Sequence, residues 1–108
     1  GIIVSNHGGR QLDAGQSTIK PLSTIAEKYG DKIEVMMDSG VRSGPDVARA
    51  MASGAKFTFM GRSFMYGVSA LGKKGGDHTI SLLKTELQQV MEQLCCENTS
   101  DFPNHLIK

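Results

Sequence analysis

The sequence predicts an α/β fold in which sequential parallel strands each run into a loop and then a helix. Three observations carry this. Three short apolar runs lie along the 108 residues, the first two with hardly any alternation of apolar and polar positions. That is the pattern of strands covered by helices on both faces. Each run ends in a glycine-bearing loop followed by helical spacing. No hairpin signal such as Asn-Gly separates the runs, so helical crossovers between parallel strands are the physical consequence.

The strands are expected at Gly1 to Val4, Ile33 to Met37 and Lys56 to Met60. In the third, Phe57 and Phe59 alternate with Thr58, so one face of it can be polar. The first helix is expected over Thr18 to Tyr29, with Ile19, Leu22, Ile25, Ala26 and Tyr29 on one stripe; Pro21 fits only because it lies in the opening turn. The second is expected over Pro45 to Ser53. Pro45 suits a first helical position, Asp46 the positive end of the dipole, and Gly54 the stop. The third is expected over Thr79 to Leu94, capped by Asp77 or Thr79. Its apolar face is Ile80, Leu83, Leu87, Val90, Met91 and Leu94, while Lys84, Glu86, Gln88 and Glu92 stay wet. Residues 97–108 read as a loosely ordered tail with one helical turn, following a domain at 1–96.

Length and charge narrow the function classes. A chain of 108 residues builds one small domain with a modest core. A net charge of +1 implies neither nucleic acid nor an anionic membrane as partner. No apolar run approaches the roughly 20 residues of a membrane helix, and no leader of basic then apolar residues is visible. Cys95 and Cys96 are adjacent, which makes a poor structural bridge and excludes a CxxC metal or redox site. A reducing, cytoplasmic setting is expected.

Chemistry-bearing residues stand after each strand: Ser5-Asn6-His7, then Asp38-Ser39-Gly40-Val41-Arg42, then Gly61-Arg62. In "DSGVRSG", Gly40 and Gly44 permit a tight turn with amides close to a ligand. The helix starting near Pro45 aims its positive end at the same spot. Arg42 and Arg62 can add charge-assisted bonds to phosphate oxygens. Two neighbouring strand ends, each with glycine and arginine, form a phosphate site of the barrel type. On spacing alone its owner is a nucleotide, a flavin or a sugar phosphate.

"SNHGGRQLD" adds a second kind of site. Arg10 is planar and doubly donating, which suits a small carboxylate. His7 stands three residues earlier across Gly8-Gly9, and histidine is the residue type suited to act as a base near neutral pH. Together they can converge on one small hydroxy acid. Asp13 either orients one of them or serves as a cap. His78 and His105 lack such company and read as surface residues.

The stretches "SNHGGRQLD", "DSGVRSGPDV" and "GRSFMYG" strongly resemble the FMN-dependent α-hydroxy acid dehydrogenases and oxidases, the family of L-lactate dehydrogenase and glycolate oxidase. The resemblance covers almost the whole chain, and the histidine-arginine motif is its specific part. It implies the last three βα units of a (β/α)8 TIM barrel, a partial barrel, with FMN as cofactor and oxidation of a small L-2-hydroxy acid to the 2-oxo acid. By the same resemblance His7 matches the base and Arg10 the residue holding the substrate carboxylate. Ser5 matches a flavin-lining residue. Asp38, Ser39, Gly40, Val41 and Arg42 match the loop contacting the ribityl chain and phosphate; Gly61 and Arg62 match the second phosphate loop. Asn6 belongs to the motif with a structural role.

A complete barrel of this kind takes about 250 residues, so the motif is expected to stand first because the chain begins partway through a barrel. An isolated three-stranded parallel sheet leaves edges and one apolar face unprotected. Self-association into a homo-oligomer is therefore expected, with weak FMN binding and no activity for the piece alone. The setting is cytoplasmic, or peripheral on the inner membrane as in some family members. Two other readings are kept: a non-catalytic, self-associating phosphate-binding or FMN-binding fragment, and another FMN-dependent barrel enzyme. "DSGVRSG" leans toward the bacterial lactate dehydrogenases.

Overall fold

The computed structural model describes residues 1–107. Its strands are β1 (Ile2–Val4), β2 (Val35–Met37) and β3 (Phe57–Thr58), each inside the predicted run but shorter. They form one parallel sheet in the order β1-β2-β3. The register sets Ile3 beside Met36 and Met36 beside Phe57, with Val4 and Met37 aligned to Thr58. Because side chains alternate across a strand, this register makes two different faces.

One face is the core. Val4, Val35 and Met37 pack with Leu22 of α1 (Ile19–Tyr29) and Ala50 of α2 (Gly44–Ala52). Leu22 and Val35 are 0% exposed, the centre of that cluster. The other face carries Ile3, Phe57 and Phe59, which stay 48%, 57% and 41% exposed. Phe57 and Phe59 stack edge to face with centroids 5.1 Å apart. β3 therefore turns its aromatics, rather than polar groups, to the uncovered side.

Thr18 sits just before α1 without capping it, whereas α2 is capped by Ser43, whose Oγ accepts the Asp46 amide at 3.3 Å. Two expectations need correction. The sequence "RSFMYGVSAL" forms a helix, α3 (Arg62–Leu71), where none was predicted. Met65, Tyr66, Val68 and Leu71 lie exposed on it, and none of its residues is buried. The final helix, α4 (Gly75–Gln93), starts four residues before the expected Thr79. Asp77 and Thr79 lie inside it and do not cap it; the Thr79 hydroxyl donates back to Gly75 O at 2.8 Å. The early start is allowed by contact between Gly67 and Gly75, where any Cβ would strike the opposite backbone.

The tail is also corrected. Residues Thr99–His105 form a 3-10 helix rather than a loose end, with a capping box between Asn98 and Asp101. Phe102 is 1% exposed and packs with Ala48 and Cys96, beside Met51, Leu87 and Met91. This second apolar cluster joins α2, α4 and the tail.

Candidate active site

All three strands release their chains on the same side of the sheet, and the loops there are bonded to one another. The first turns through a 3-10 segment at His7–Gly9, with His7 at φ 58° and Gly8 at φ 66°. Two serine hydroxyls hold it. Ser5 Oγ accepts the His7 amide at 3.1 Å, while Ser39 Oγ accepts the amides of Asn6 at 3.3 Å and Gly8 at 3.1 Å. From the third loop, Arg62 Nη2 donates to Gly8 O at 3.0 Å, and Ser63 Oγ donates to Arg42 O at 3.1 Å. Asn6 Nδ2 donates to Gln16 O at 3.1 Å, holding the far limb of the first loop. That contact gives Asn6 a structural task.

These loops enclose a cavity of about 550 Å³, within the usual range of small-molecule sites. Arg10, Asp38, Ser39, Gly40, Val41 and Arg42 lie along one part of its wall. Gly61, Arg62, Phe59, Met60, Met65 and Tyr66 complete the other. His7 and Ser5 are not on that wall; the first loop reaches it through Gly8 and Arg10, and His7 stands exposed beside it. Val41 is buried in the core, so only its backbone can face a ligand. Asp13 is exposed with no ion pair to either His7 or Arg10.

The anion-binding features are distributed differently from the sequence expectation. Glu86 of α4 and Asp46 already occupy the positive end of α2. Glu86 Oε2 accepts the Gly44 amide at 2.6 Å, and Asp46 Oδ2 accepts the Arg42 amide at 3.1 Å. Gly44 is required there, since a Cβ would lie 2.6 Å from the Glu86 carbonyl carbon. The N-terminus of α3 instead has no side-chain cap at Gly61, and nothing lies within 4 Å of a Cβ built there. Among the described residues the one ion pair is Arg49 with Asp46, so Arg10, Arg42 and Arg62 face the cavity unpaired, with Asp38 the one carboxylate on its wall. Uncapped amides, two flanking guanidinium groups and open space fit a phosphate. The adjoining Phe59, Met65 and Tyr66 fit a flat apolar ring system, so the residues present suit FMN.

A family model described as FMN-dependent dehydrogenase matches residues 1–108. The chain belongs to that family. It is 42% identical over 108 residues to human 2-hydroxyacid oxidase 1, covering 100% of this chain and 29% of the relative. It is 40% identical over 107 residues to an L-lactate dehydrogenase of Alcaligenes faecalis, covering 99% and 28%. Its fold matches a soluble mutant of the membrane-associated (S)-mandelate dehydrogenase of Pseudomonas putida with a TM-score of 0.86 and 38% identity, over 93% of this chain and 28% of that one. The chain thus spans under a third of the length of the curated relatives it matches. The relatives are FMN-dependent oxidoreductases of 2-hydroxy acids, and the open three-stranded sheet accords with part of their barrel. No helix among the described residues is long and apolar enough to cross a membrane.

Sequence reasoning missed three contributors. Helix α3 supplies the uncapped amides, Glu86 fixes the loop carrying Arg42, and Thr18 Oγ1 supports the Asp38 and Ser39 carbonyls at 3.2 Å each. A threonine before a helical stripe was a visible signal. Glu86 looked like any other charge on a wet face.

Proposed function

We propose that this chain carries the substrate-handling and phosphate-holding part of an FMN-dependent enzyme that oxidises a small L-2-hydroxy acid, such as L-lactate, to the 2-oxo acid. FMN, when bound, supplies the two-electron acceptor. Arg42, Arg62 and the α3 amides hold its phosphate, and Asp38, Gly40 and the Val41 backbone line its sugar-alcohol chain. Arg10 pairs with the substrate carboxylate through two parallel N–H bonds. His7 takes the proton released from the substrate; it stands exposed beside the wall that carries Arg10, in the same loop, which supports its meeting the same hydroxy acid.

The observation that carries this reading is the convergence of Arg10, Arg42 and Arg62, none of them in an ion pair, on one cavity whose wall holds a single carboxylate, Asp38. Ser5 belongs to the same reading as a support of the His7 amide at the flavin edge. The assignment to the last three barrel units, and the inactivity of the piece alone, are parts of the same proposal. The test is bleaching of the flavin absorbance by L-lactate, glycolate or (S)-mandelate in the flavin-loaded protein carrying this chain. His7→Gln should retain flavin yet slow bleaching by about 10²–10⁴, the usual contribution of a positioned base. Equal bleaching rates in the variant and its parent would remove His7 from the chemistry.

A further inference from the structure

The hydroxyl of Ser39 is fully occupied inside the protein. Its proton goes to Asp38 Oδ1 at 2.6 Å, its oxygen accepts the Asn6 and Gly8 amides, and Ser5 Oγ, also in the histidine loop, lies at 3.5 Å. One donated and two accepted bonds are the full capacity of a hydroxyl, which leaves none for a ligand. Ser39 also sits at φ 71°, a left-handed conformation that residues with a Cβ avoid. Thr18 Oγ1 pins that backbone by donating to both Asp38 O and Ser39 O. The two amides it receives flank His7, itself held at φ 58°. A left-handed serine, pinned from behind, thus clasps both sides of the histidine turn 31 to 33 residues away.

We infer that Ser39 is a positioning residue for His7 and does not ligate the flavin with its side chain. The resemblance had placed it among the cofactor contacts; its hydroxyl faces the histidine loop instead. The Asp38 carboxylate polarises that hydroxyl, and Asp38 remains free to present its second oxygen to the cavity. The inference rests on the reading of His7 as the base.

Two variants test it. Ser39→Ala removes the hydroxyl, and Ser39→Gly removes both the hydroxyl and the backbone strain, so at least one should fold. With FMN and L-lactate as probes, both variants should keep the FMN Kd within about twofold. Their kcat should fall about tenfold while KM, set by Arg10, changes less than about threefold. In the full chain without flavin, amide hydrogen exchange at Asn6 and Gly8 should accelerate about tenfold or more. A tenfold weaker FMN Kd with unchanged kcat at saturation would make Ser39 a flavin ligand and overturn the inference. Unchanged exchange at Asn6 and Gly8, or faster exchange with full kcat, would overturn it equally. Failure of L-lactate, glycolate and (S)-mandelate to reduce the parent protein's flavin would instead count against the base reading, and the exchange data would still judge the clasp.

Discussion

Glu86→Ala offers a direct test of how the phosphate side of the site is held. The Glu86 carboxylate accepts the Gly44 amide at 2.6 Å from a half-buried position. That amide opens α2, where the helix dipole is positive. A hydrogen bond to a charged group contributes about 1.5–3 kcal/mol, and the dipole share is contained in that figure. With partial burial, about 2 kcal/mol is expected to be lost on truncation to alanine. Glu86→Gln keeps a neutral acceptor and should lose about 1 kcal/mol. At about 4–8 °C per kcal/mol for a domain near this size, the alanine variant should melt about 10 °C lower. Because Arg42 lies two residues before Gly44, inorganic phosphate and FMN should also bind several-fold more weakly. Urea titration followed by far-ultraviolet circular dichroism measures the first effect, with exposed Lys84→Ala as the control. If Glu86→Ala and Lys84→Ala share one midpoint, water replaces the carboxylate at no cost and the clamp has no energetic content.

Three further outcomes are expected. Phe102→Ala empties the centre of the second cluster and should cost about 3–5 kcal/mol, read as a large drop in the urea midpoint; a change under 1 kcal/mol would mean that the tail is only loosely docked. Burial, then the Asp101 carboxylate and the Cys95 sulfur, push the Cys96 thiol above its ordinary 9.0. A raised thiol pKa means that the fold favours the protonated form, so stability should decline as pH rises past that ordinary value. Exposed Cys95 should therefore be alkylated before Cys96, as peptide mass spectrometry of partially labelled protein can show. Finally, the uncovered face of Ile3, Phe57 and Phe59 should drive the isolated chain to self-associate, and Phe57→Ser should weaken this in sedimentation velocity. A monodisperse monomer at high concentration in the parent chain would contradict that expectation.

Much of this molecule was legible in order along the chain. Runs such as Val35-Met36-Met37, the stripe Ile19, Leu22, Ile25, and the Ser43-Gly44-Pro45-Asp46 start report their structure through spacing of a few residues. Strand and helix periods are local, so they survive without knowledge of neighbours. The strand-end residues Arg10, Arg42 and Arg62 were likewise visible, because parallel βα units must release all such loops on one side.

Other features became readable only once distant segments met. Helix α3 buries none of its residues, and what lets α4 start early is the Gly67–Gly75 contact between two helices. Phe102 looked like an isolated aromatic in a polar tail until α2 and α4 enclosed it. Glu86 and Ser39 have ordinary identities; what they do comes from bonds to amides 42 and 31 residues away. The sequence by itself determined the three strands, α1, α2, most of α4 and which loops carry charge, since those depend on near-neighbour sterics and periodicity. Tertiary structure alone decided which helix end stays open to an anion and which hydroxyl grips the histidine turn. Hydrogen-bond capacity is finite, and only the folded chain shows where each donor and acceptor has been used.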